Sequence, residues 1–304
     1  MSSLSTANVE FCLDVFKELN SNNAGDNIFF SPLSLLYALH MILLGARGNS
    51  AEQIKKVLHI NHEEPAKAEF KDSSECSQAG RIHSDFGVLI SQINQLDSNY
   101  TLSIANRLYG TKKIAFHQGR SVLVEMMYQM GTFKLAVIKR PQMQVLELPY
   151  VNNKLSMIIL LPTGTTKLEQ IAKQLNARAL QEWIGPSHMV EREVEVHLPR
   201  FKLEIQYELN SLLKSLGMAD IFNQGKADLS GMSSAKGLYL SKVIHKSYVD
   251  VNEEGTEAAA ATGDIITVKR LPIRYQFMAN KPFLFFIRDI HSEMIIFCGK
   301  FASP

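Results

Sequence analysis

The stretch of sequence that decides the fold lies close to the carboxyl end and reads Glu253-Glu254-Gly255-Thr256-Glu257-Ala258-Ala259-Ala260-Ala261-Thr262-Gly263-Asp264. It is a run of small residues flanked by acids and glycines. A short surface helix is one interpretation, because alanine favours helices most strongly, but about two turns are marginal without packing. The alternative is a loop whose small side chains let it become extended and slip between other strands. In such a loop the dibasic pair Lys269-Arg270 is easily reached by a trypsin-like protease.

The composition is that of an ordinary globular protein. The chain has 304 residues, of which 46% are hydrophobic and 20% are charged. Its formal net charge of +2 provides no strong field to attract nucleic acid or an anionic membrane. The longest apolar stretch, residues 33–44, is too short to cross a bilayer. We therefore expect neither nucleic acid nor a membrane as a partner.

The cysteines and the amino-terminal residues bear on the compartment. Cys12, Cys76 and Cys298 are odd in number and widely spaced, and no CxxC pattern indicates a metal site or a redox pair. A reducing compartment is the simpler interpretation. Residues 1–8 lack the basic start and apolar run of a signal peptide. We expect a cytoplasmic protein that reaches the outside only by a route independent of a signal peptide, and glycosylation of Asn99 only after such export.

Helical periodicity comes first along the chain and strand periodicity later. The pattern predicts helices over residues 4–19, 32–45, 86–96, 168–183 and 207–216, and a further helix with Ser50 as its N-cap. It predicts strands over residues 102–109, 145–150, 155–161, 194–203, 238–251, 283–287 and 294–297. This order favours one α+β domain over residues 1–304.

Catalytic chemistry has little support in the sequence. The chain contains no HExxH, GxSxG or P-loop pattern. Cys298 near His291 is formally a thiol nucleophile, but a buried structural cysteine is the favoured interpretation. We expect no catalytic residue, no metal and no cofactor, and we expect that the chain is not an enzyme.

Several segments together resemble one protein family. This family is the serpins, the superfamily of serine protease inhibitors, whose reactive-centre loop begins with a hinge. The chain matches that hinge at every position, with Glu253, Glu254, Gly255, Thr256, Glu257, Ala258, Ala259, Ala260 and Ala261. Further likeness to serpins lies in residues 27–34, 145–150, 155–162, 194–201, 282–287 and 297–300. The polar loop at 61–80, the lack of a signal peptide and the end at Pro304 are similar to clade B, the intracellular ovalbumin-type branch. The resemblance implies an α+β fold with N-terminal helices on a large mixed sheet and a smaller, barrel-like sheet region towards the C-terminus.

The resemblance also implies a mechanism, which is that of a suicide inhibitor. A protease cleaves the loop of about residues 253–275 and becomes acylated, and the freed loop inserts into the main sheet before deacylation. Family spacing from the hinge places the reactive bond after Lys269, or after Arg270. Either residue puts a long cation into the specificity pocket, so a trypsin-like serine protease is the expected partner. Ser31, Ser34 and His245 match positions that control opening of the main sheet.

Two departures from the family pattern weaken inhibition. Between residues 118 and 122 the chain passes directly to a segment that comes much later in the family, so a block with several central elements, including a central strand, is missing. Asp264 falls on the inward side of an inserted loop, where burial of an unpaired carboxylate is costly. The loss of such a block, with sequence that resembles the family in frame on both sides, is typical of alternative splicing. We therefore predict a monomeric serpin with impaired inhibition; the alternatives are a non-inhibitory serpin, cut as a substrate or acting as an interaction protein, and a splice product without function.

Overall fold

The computed structural model describes residues 3–22, 24–60, 112–118, 120–150, 153–234, 237–252 and 274–304. Several sequence predictions lie outside the described residues: the helix at 86–96, the strand at 102–109, Cys76, Asn99, the hinge at 253–261, Asp264, and the reactive bond at Lys269 and Arg270. The statements about structure below concern the described residues.

Helices predominate at the start of the described chain, and strands predominate after residue 112. Their order is α1 (Ser3–Asn22), β1 (Ile28–Phe30), α2 (Pro32–Gly45), α3 (Gly48–Val57), β2 (Lys112–Gln118), β3 (Arg120–Lys139), β4 (Gln142–Pro149), β5 (Leu155–Pro162), α4 (Leu168–Gln174), α5 (Ala177–Trp183), β6 (Val190–Pro199), β7 (Phe201–Glu208), α6 (Asn210–Leu216), a 3-10 turn (Asp220–Phe222), β8 (Ile244–Val251), β9 (Tyr275–Met278), β10 (Phe283–Asp289) and β11 (Ile295–Phe301). The α+β class is as predicted.

The described strands form one large sheet and one small sheet. The large sheet has nine strands in the order β1-β11-β10-β5-β4-β3-β6-β9, with β2 paired to β3. It is a mixed sheet, because β6 and β9 run parallel while the other pairs are antiparallel. The small sheet consists of β7 and β8. The expected combination of a large mixed sheet with a smaller one is therefore confirmed.

The core of the large sheet lies at β5 and β10. All eight residues of β5 are buried, as are residues 283–287 of β10. A continuous apolar run of this kind is typical of a strand covered on both faces, in contrast to an alternating strand with one wet face. Aromatic rings fill the space beside β10, where Phe201 lies 4.6 Å from Phe301 and 5.5 Å from Phe285 between ring centroids. Gly299 lies under the Phe285 ring, where a Cβ would come closer than 3.0 Å to the ring atoms.

The described residues fall into two compact units. One contains residues up to 32, those within 103–206 and those from 246 onward, and it holds the large sheet with α1, α4 and α5. The other contains residues within 33–102 and 207–245, with most of α2, all of α3, and α6. In this second unit the Asp228 backbone N–H donates to Ser50 Oγ at 3.0 Å, and that of Asp220 donates to Gln53 Oε1 at 2.9 Å. These bonds tie α3 to the segment that follows α6.

Some predicted boundaries were wrong. Residues 168–183 form two helices, because Asn176 Oδ1 caps α5 by accepting the Ala179 backbone N–H at 2.9 Å. The strand predicted from residue 238 begins only at Ile244, since Ser241 and Val243 bond to Asn210 at the start of α6. Ser50 is not an N-cap, because its hydroxyl serves Asp228 instead. None of the described helices has the length and apolar character needed to cross a membrane.

Candidate functional site

The loop predicted to meet a protease leaves the described structure from β8. Along this strand His245, Ser247, Val249 and Val251 are buried, while the residues between them are exposed or half-buried. The alternation is that of a strand with one wet face. Ser247 fixes the buried face, since its hydroxyl donates to the Phe29 carbonyl at 2.7 Å. The N-terminal end of the loop is therefore held by a strand with a defined inward side.

On the exposed face, β8 is joined to β7 by charged side chains. Lys246 Nζ lies 2.7 Å from Glu204 Oε1, and Lys202 Nζ lies 4.9 Å from the centre of the Tyr248 ring. Both contacts are half-exposed, so each contributes little to stability. Within the described part of the chain β8 has no strand partner other than β7.

The loop re-enters the described structure at β9. Four residues of β9 pair with β6, from Val194 opposite Tyr275 to His197 opposite Met278. The Arg192 guanidinium lies 4.4 Å above the Tyr275 ring, and Arg274 Nε lies 3.7 Å from Glu193 Oε2. A short strand at the edge of a sheet is thus supplemented by a cation–π contact and an ion pair.

A further contact holds β9 from the side of β4. Gln144 Nε2 donates to the Gln276 carbonyl at 3.1 Å. Sequence reasoning missed these anchors of the loop end, since each joins residues that lie far apart in the chain. The only sequence signal is the alternation of charges at residues 191–193, which by itself is also typical of a solvated strand face.

Residues on both sides of Gly119 form a hairpin. Strand β2 pairs with the first part of β3 from Lys112 opposite Met126 to Gln118 opposite Arg120. Phe116 is buried with its ring edge-on to Phe301 at 5.3 Å, and the His117 backbone N–H donates to the Asn280 carbonyl at 2.7 Å. The segment where the sequence predicts a missing block is therefore built into the large sheet and adds no strand to β8.

The three residues predicted to control sheet opening lie in different settings. Ser31 is buried just before α2, and its hydroxyl donates to the Ile296 carbonyl at 2.8 Å. Ser34 is exposed in the first turn of α2. His245 is buried in β8, and burial lowers the pKa of its imidazole. Ser31 belongs to the first compact unit, and Ser34 and His245 belong to the second.

A buried ion pair joins β4 to β10 in the large sheet. Arg288 Nη2 on β10 lies 3.0 Å from Glu147 Oε1 on β4, and Lys134 Nζ on β3 lies 3.4 Å from Glu147 Oε2. Burial opposes ionisation of Glu147, but the hydrogen bond and charge of Arg288, with contributions from Ser156 and Lys134, outweigh it and lower the pKa of this carboxyl. In the described residues no group of three or more His, Cys, Asp or Glu side chains is arranged to hold a metal ion.

Comparison with known proteins points to one family. The model of the family described as "Serpin (serine protease inhibitor)" matches residues 6–119 and 115–304, in two segments that meet at the β2–β3 hairpin. Serpin B11 of Homo sapiens is 58% identical over 392 residues, with 100% of each chain covered. That alignment is 88 residues longer than the 304 residues of this chain.

Two further comparisons agree. The leukocyte elastase inhibitor of Equus caballus is 38% identical over 395 residues, with 100% of each chain covered. The crystal structure of uncleaved ovalbumin has a TM-score of 0.78 at 26% identity and covers 99% of this chain and 100% of its own. The names of these relatives agree with the predicted likeness to clade B.

The prediction that the chain is not an enzyme needs a correction, because it left out any relation to an enzyme's reaction. It rested on missing catalytic motifs and set the chain apart from enzyme chemistry. The matching family is defined by its action on serine proteases, although its members are inhibitors and not catalysts. The absent sequence patterns are those of catalysts, and they do not detect a protein that inhibits an enzyme.

Proposed function

The chain belongs to the serpin family, and on that premise we propose that it is a single serpin domain cut by trypsin-like serine proteases after Lys269 or Arg270, with impaired trapping of the protease. A serpin traps its target when the cleaved loop inserts beside the strand that carries it, before the acyl-enzyme is hydrolysed. In this chain that strand is β8. The outcome depends on whether β8 and a second strand accept the loop.

The one-sided pairing of β8 is the observation that carries this proposal. An inserted strand needs partners on both edges, and in the described residues β8 pairs with β7 alone. The residues at the junction do not supply a second partner, because β2 and the start of β3 pair with each other within the large sheet. The match to the family in two segments, and an alignment 88 residues longer than this chain, support a missing central block.

Asp264 adds a second barrier. With Thr256 facing inward, alternation along an inserted strand also turns Asp264 inward. A carboxylate buried without a partner must take up a proton or bear a desolvation cost. Insertion is therefore slowed at its midpoint, while deacylation, which is the chemistry of the protease, keeps its rate. The balance favours release of cleaved serpin and active protease.

The remaining predictions from the sequence belong to this proposal. We assign the hinge to residues 253–261 and the control of sheet opening to Ser31, Ser34 and His245. We place the protein in the cytoplasm as a monomer. A non-inhibitory serpin, which is cut as a protease substrate without trapping or acts as an interaction protein, is the second candidate, and the same one-sided pairing of β8 favours it.

Incubation with trypsin tests the proposal. We expect a cleaved chain, active trypsin and little complex that survives denaturing electrophoresis, with mass spectrometry placing the first cut after Lys269 or Arg270. The double variant Lys269→Ala, Arg270→Ala should resist that first cut, and Asp264→Ala is the matched variant that removes the internal barrier alone. Abundant covalent complex at near-equal stoichiometry, or a first cut elsewhere with this loop intact, would contradict the proposal.

A further inference from the structure

Two thiols meet where α1 crosses β11. Cys12 on α1 is fully buried and Cys298 on β11 is 1% exposed. Both cysteines are free, and they stand on the two elements, α1 and β11, that Asn8 and Lys300 fasten together. The sequence gives no hint of this pair, because the two residues stand near opposite ends of the chain and form no CxxC pattern.

Polar contacts on both sides of the thiols fix the helix on the strand. Asn8 bonds to the backbone of Ile295 twice, accepting its N–H at 2.7 Å and donating to its carbonyl at 3.2 Å. Beyond the thiols, Lys300 Nζ donates to Asn20 Oδ1 at 2.8 Å and to the Ala24 carbonyl at 3.0 Å. These two clamps prevent α1 from sliding or rotating on β11.

The spacing of the clamps brings the two thiols together. Cys12 lies about one helical turn after Asn8, on the same face of α1. Cys298 shares a face of β11 with Lys300, since alternate residues of a strand point the same way. The proximity of the two thiols is therefore a consequence of the docking of α1, and it returns whenever the helix redocks.

We propose that Cys12 and Cys298 are an intramolecular disulfide site that a small-molecule disulfide, such as oxidised glutathione, oxidises when α1 transiently lifts from β11. One protein thiolate attacks the glutathione disulfide, forms a mixed disulfide and releases one glutathione thiolate. When the helix redocks, the second protein thiolate attacks the protein sulfur, forms the S–S bond and releases the second glutathione. The protein loses two electrons and two protons, and one glutathione disulfide becomes two glutathione thiols.

The site is inert while α1 stays docked. Burial, reinforced by the neighbouring Cys298, raises the pKa of the Cys12 thiol, so little of the reactive thiolate forms. Oxidation therefore requires local opening of α1, and such local openings cost less free energy than global unfolding. A brief oxidising exposure leaves the pair reduced, whereas a long one closes it.

The bond would have one consequence for the reaction with a protease, which rests on the proposed function. Cleavage after Lys269 or Arg270 divides the chain into a part that contains Cys12 and a part that contains Cys298. In the oxidised protein these parts stay covalently joined after cleavage. A denaturing gel without reductant then shows one chain, and the same gel with reductant shows two.

Peptide mapping of the intact, uncleaved protein tests the site. A Cys76→Ser background removes the third thiol, and oxidised glutathione is added across a series of urea concentrations below the unfolding transition. After blocking of free thiols, we expect one peptide pair linked through Cys12 and Cys298, a mass lower by two hydrogen atoms, and formation that quickens with urea. Recovery of both cysteines as blocked free thiols or as single mixed disulfides with glutathione, at every urea concentration, would contradict the proposed disulfide site.

Variants of α1 test the mechanism of opening. Asn8→Ala removes both bonds to Ile295 and should accelerate oxidation on the order of tenfold. Asn22→Ala is the matched control on the same helix, because Asn22 is exposed and its side chain bonds only to the Glu18 carbonyl one turn earlier. Equal rates in the two variants would show that lifting of α1 does not limit the reaction. A linked pair without cleavage at Lys269 or Arg270 would instead contradict the proposed function and leave the disulfide site standing.

Discussion

Replacement of Arg288 by methionine should be among the most damaging single changes in the large sheet. Arg288 and Glu147 are 14% and 7% exposed in their side chains and lie 3.0 Å apart. Removal of one member of a buried pair leaves the other charge uncompensated and costs about 3–5 kcal/mol. That is a large share of a total stability of about 5–15 kcal/mol. We therefore expect a clear fall in the urea midpoint of Arg288→Met.

The matched control is Lys134→Met, which removes the other cation near the same carboxylate. Lys134 is 54% exposed and lies 3.4 Å from Glu147, so solvent already screens its charge. We expect a loss of less than about 1 kcal/mol. The double variant Glu147→Gln, Arg288→Met should recover much of the loss of Arg288→Met, because no unpaired charge remains.

The pH dependence of these variants provides a second test. In the parent protein the pKa of Glu147 is lowered, so its contribution to stability is present above the unfolded pKa and is lost as the pH falls through the folded pKa. Without Arg288, burial raises the pKa of Glu147 instead, so the variant's deficit should shrink as the pH falls. Equal losses from Arg288→Met and Lys134→Met in urea titrations at neutral pH would refute this reasoning.

Three further predictions concern the strands around the loop. Gly299→Ala should lower stability by about 1–3 kcal/mol, because its Cβ would enter the Phe285 ring, whereas Gly25→Ala, with no atom within 4 Å of a Cβ, should unfold in urea like the parent. Burial lowers the pKa of His245, so below pH ~6.5 its imidazole is protonated in the unfolded chain while it stays neutral in the folded chain. The unfolding temperature should therefore fall as the pH drops below that value. The fall should be smaller in His245→Asn than in the exposed control His117→Asn. After cleavage at Lys269 the carboxyl-terminal piece should stay bound on gel filtration, since its strands β9, β10 and β11 pair with β6, β5 and β1 of the other piece; its separate elution without denaturant would contradict this.

Local periodicity was sufficient to predict the helices at the start of the chain and the buried strands. The first helix was predicted over residues 4–19 and spans Ser3–Asn22, and the apolar run at 155–161 is strand β5. The relation to serpins also followed from the sequence, because it depends on short linear motifs. Such motifs survive even where the surrounding elements are lost.

Contacts between distant residues could not be predicted. The pattern at residues 112–126 does not show that residues 112–118 pair with residues 120–126, and the contact of Phe116 with the ring of Phe301 appears only in the fold. The cation–π contact of Arg192 with Tyr275 and the thiol pair of Cys12 and Cys298 join segments that meet only in the folded chain. The shorter β8 has a similar cause, because residues before Ile244 bond to the start of α6.

The change in thermal stability on cleavage tests most directly whether the loop can insert beside β8. Insertion adds a strand with its ladder of hydrogen bonds and buries one face of the loop, so a chain that inserts becomes markedly more heat-resistant when cut. The protein should be cleaved to completion after Lys269 or Arg270, and its unfolding temperature compared with that of the uncut chain. We predict no rise, because β8 has only β7 as a described partner. A rise on the order of 10 °C or more, which corresponds to several kcal/mol, would contradict the proposal and show that the shortened chain still accepts its loop.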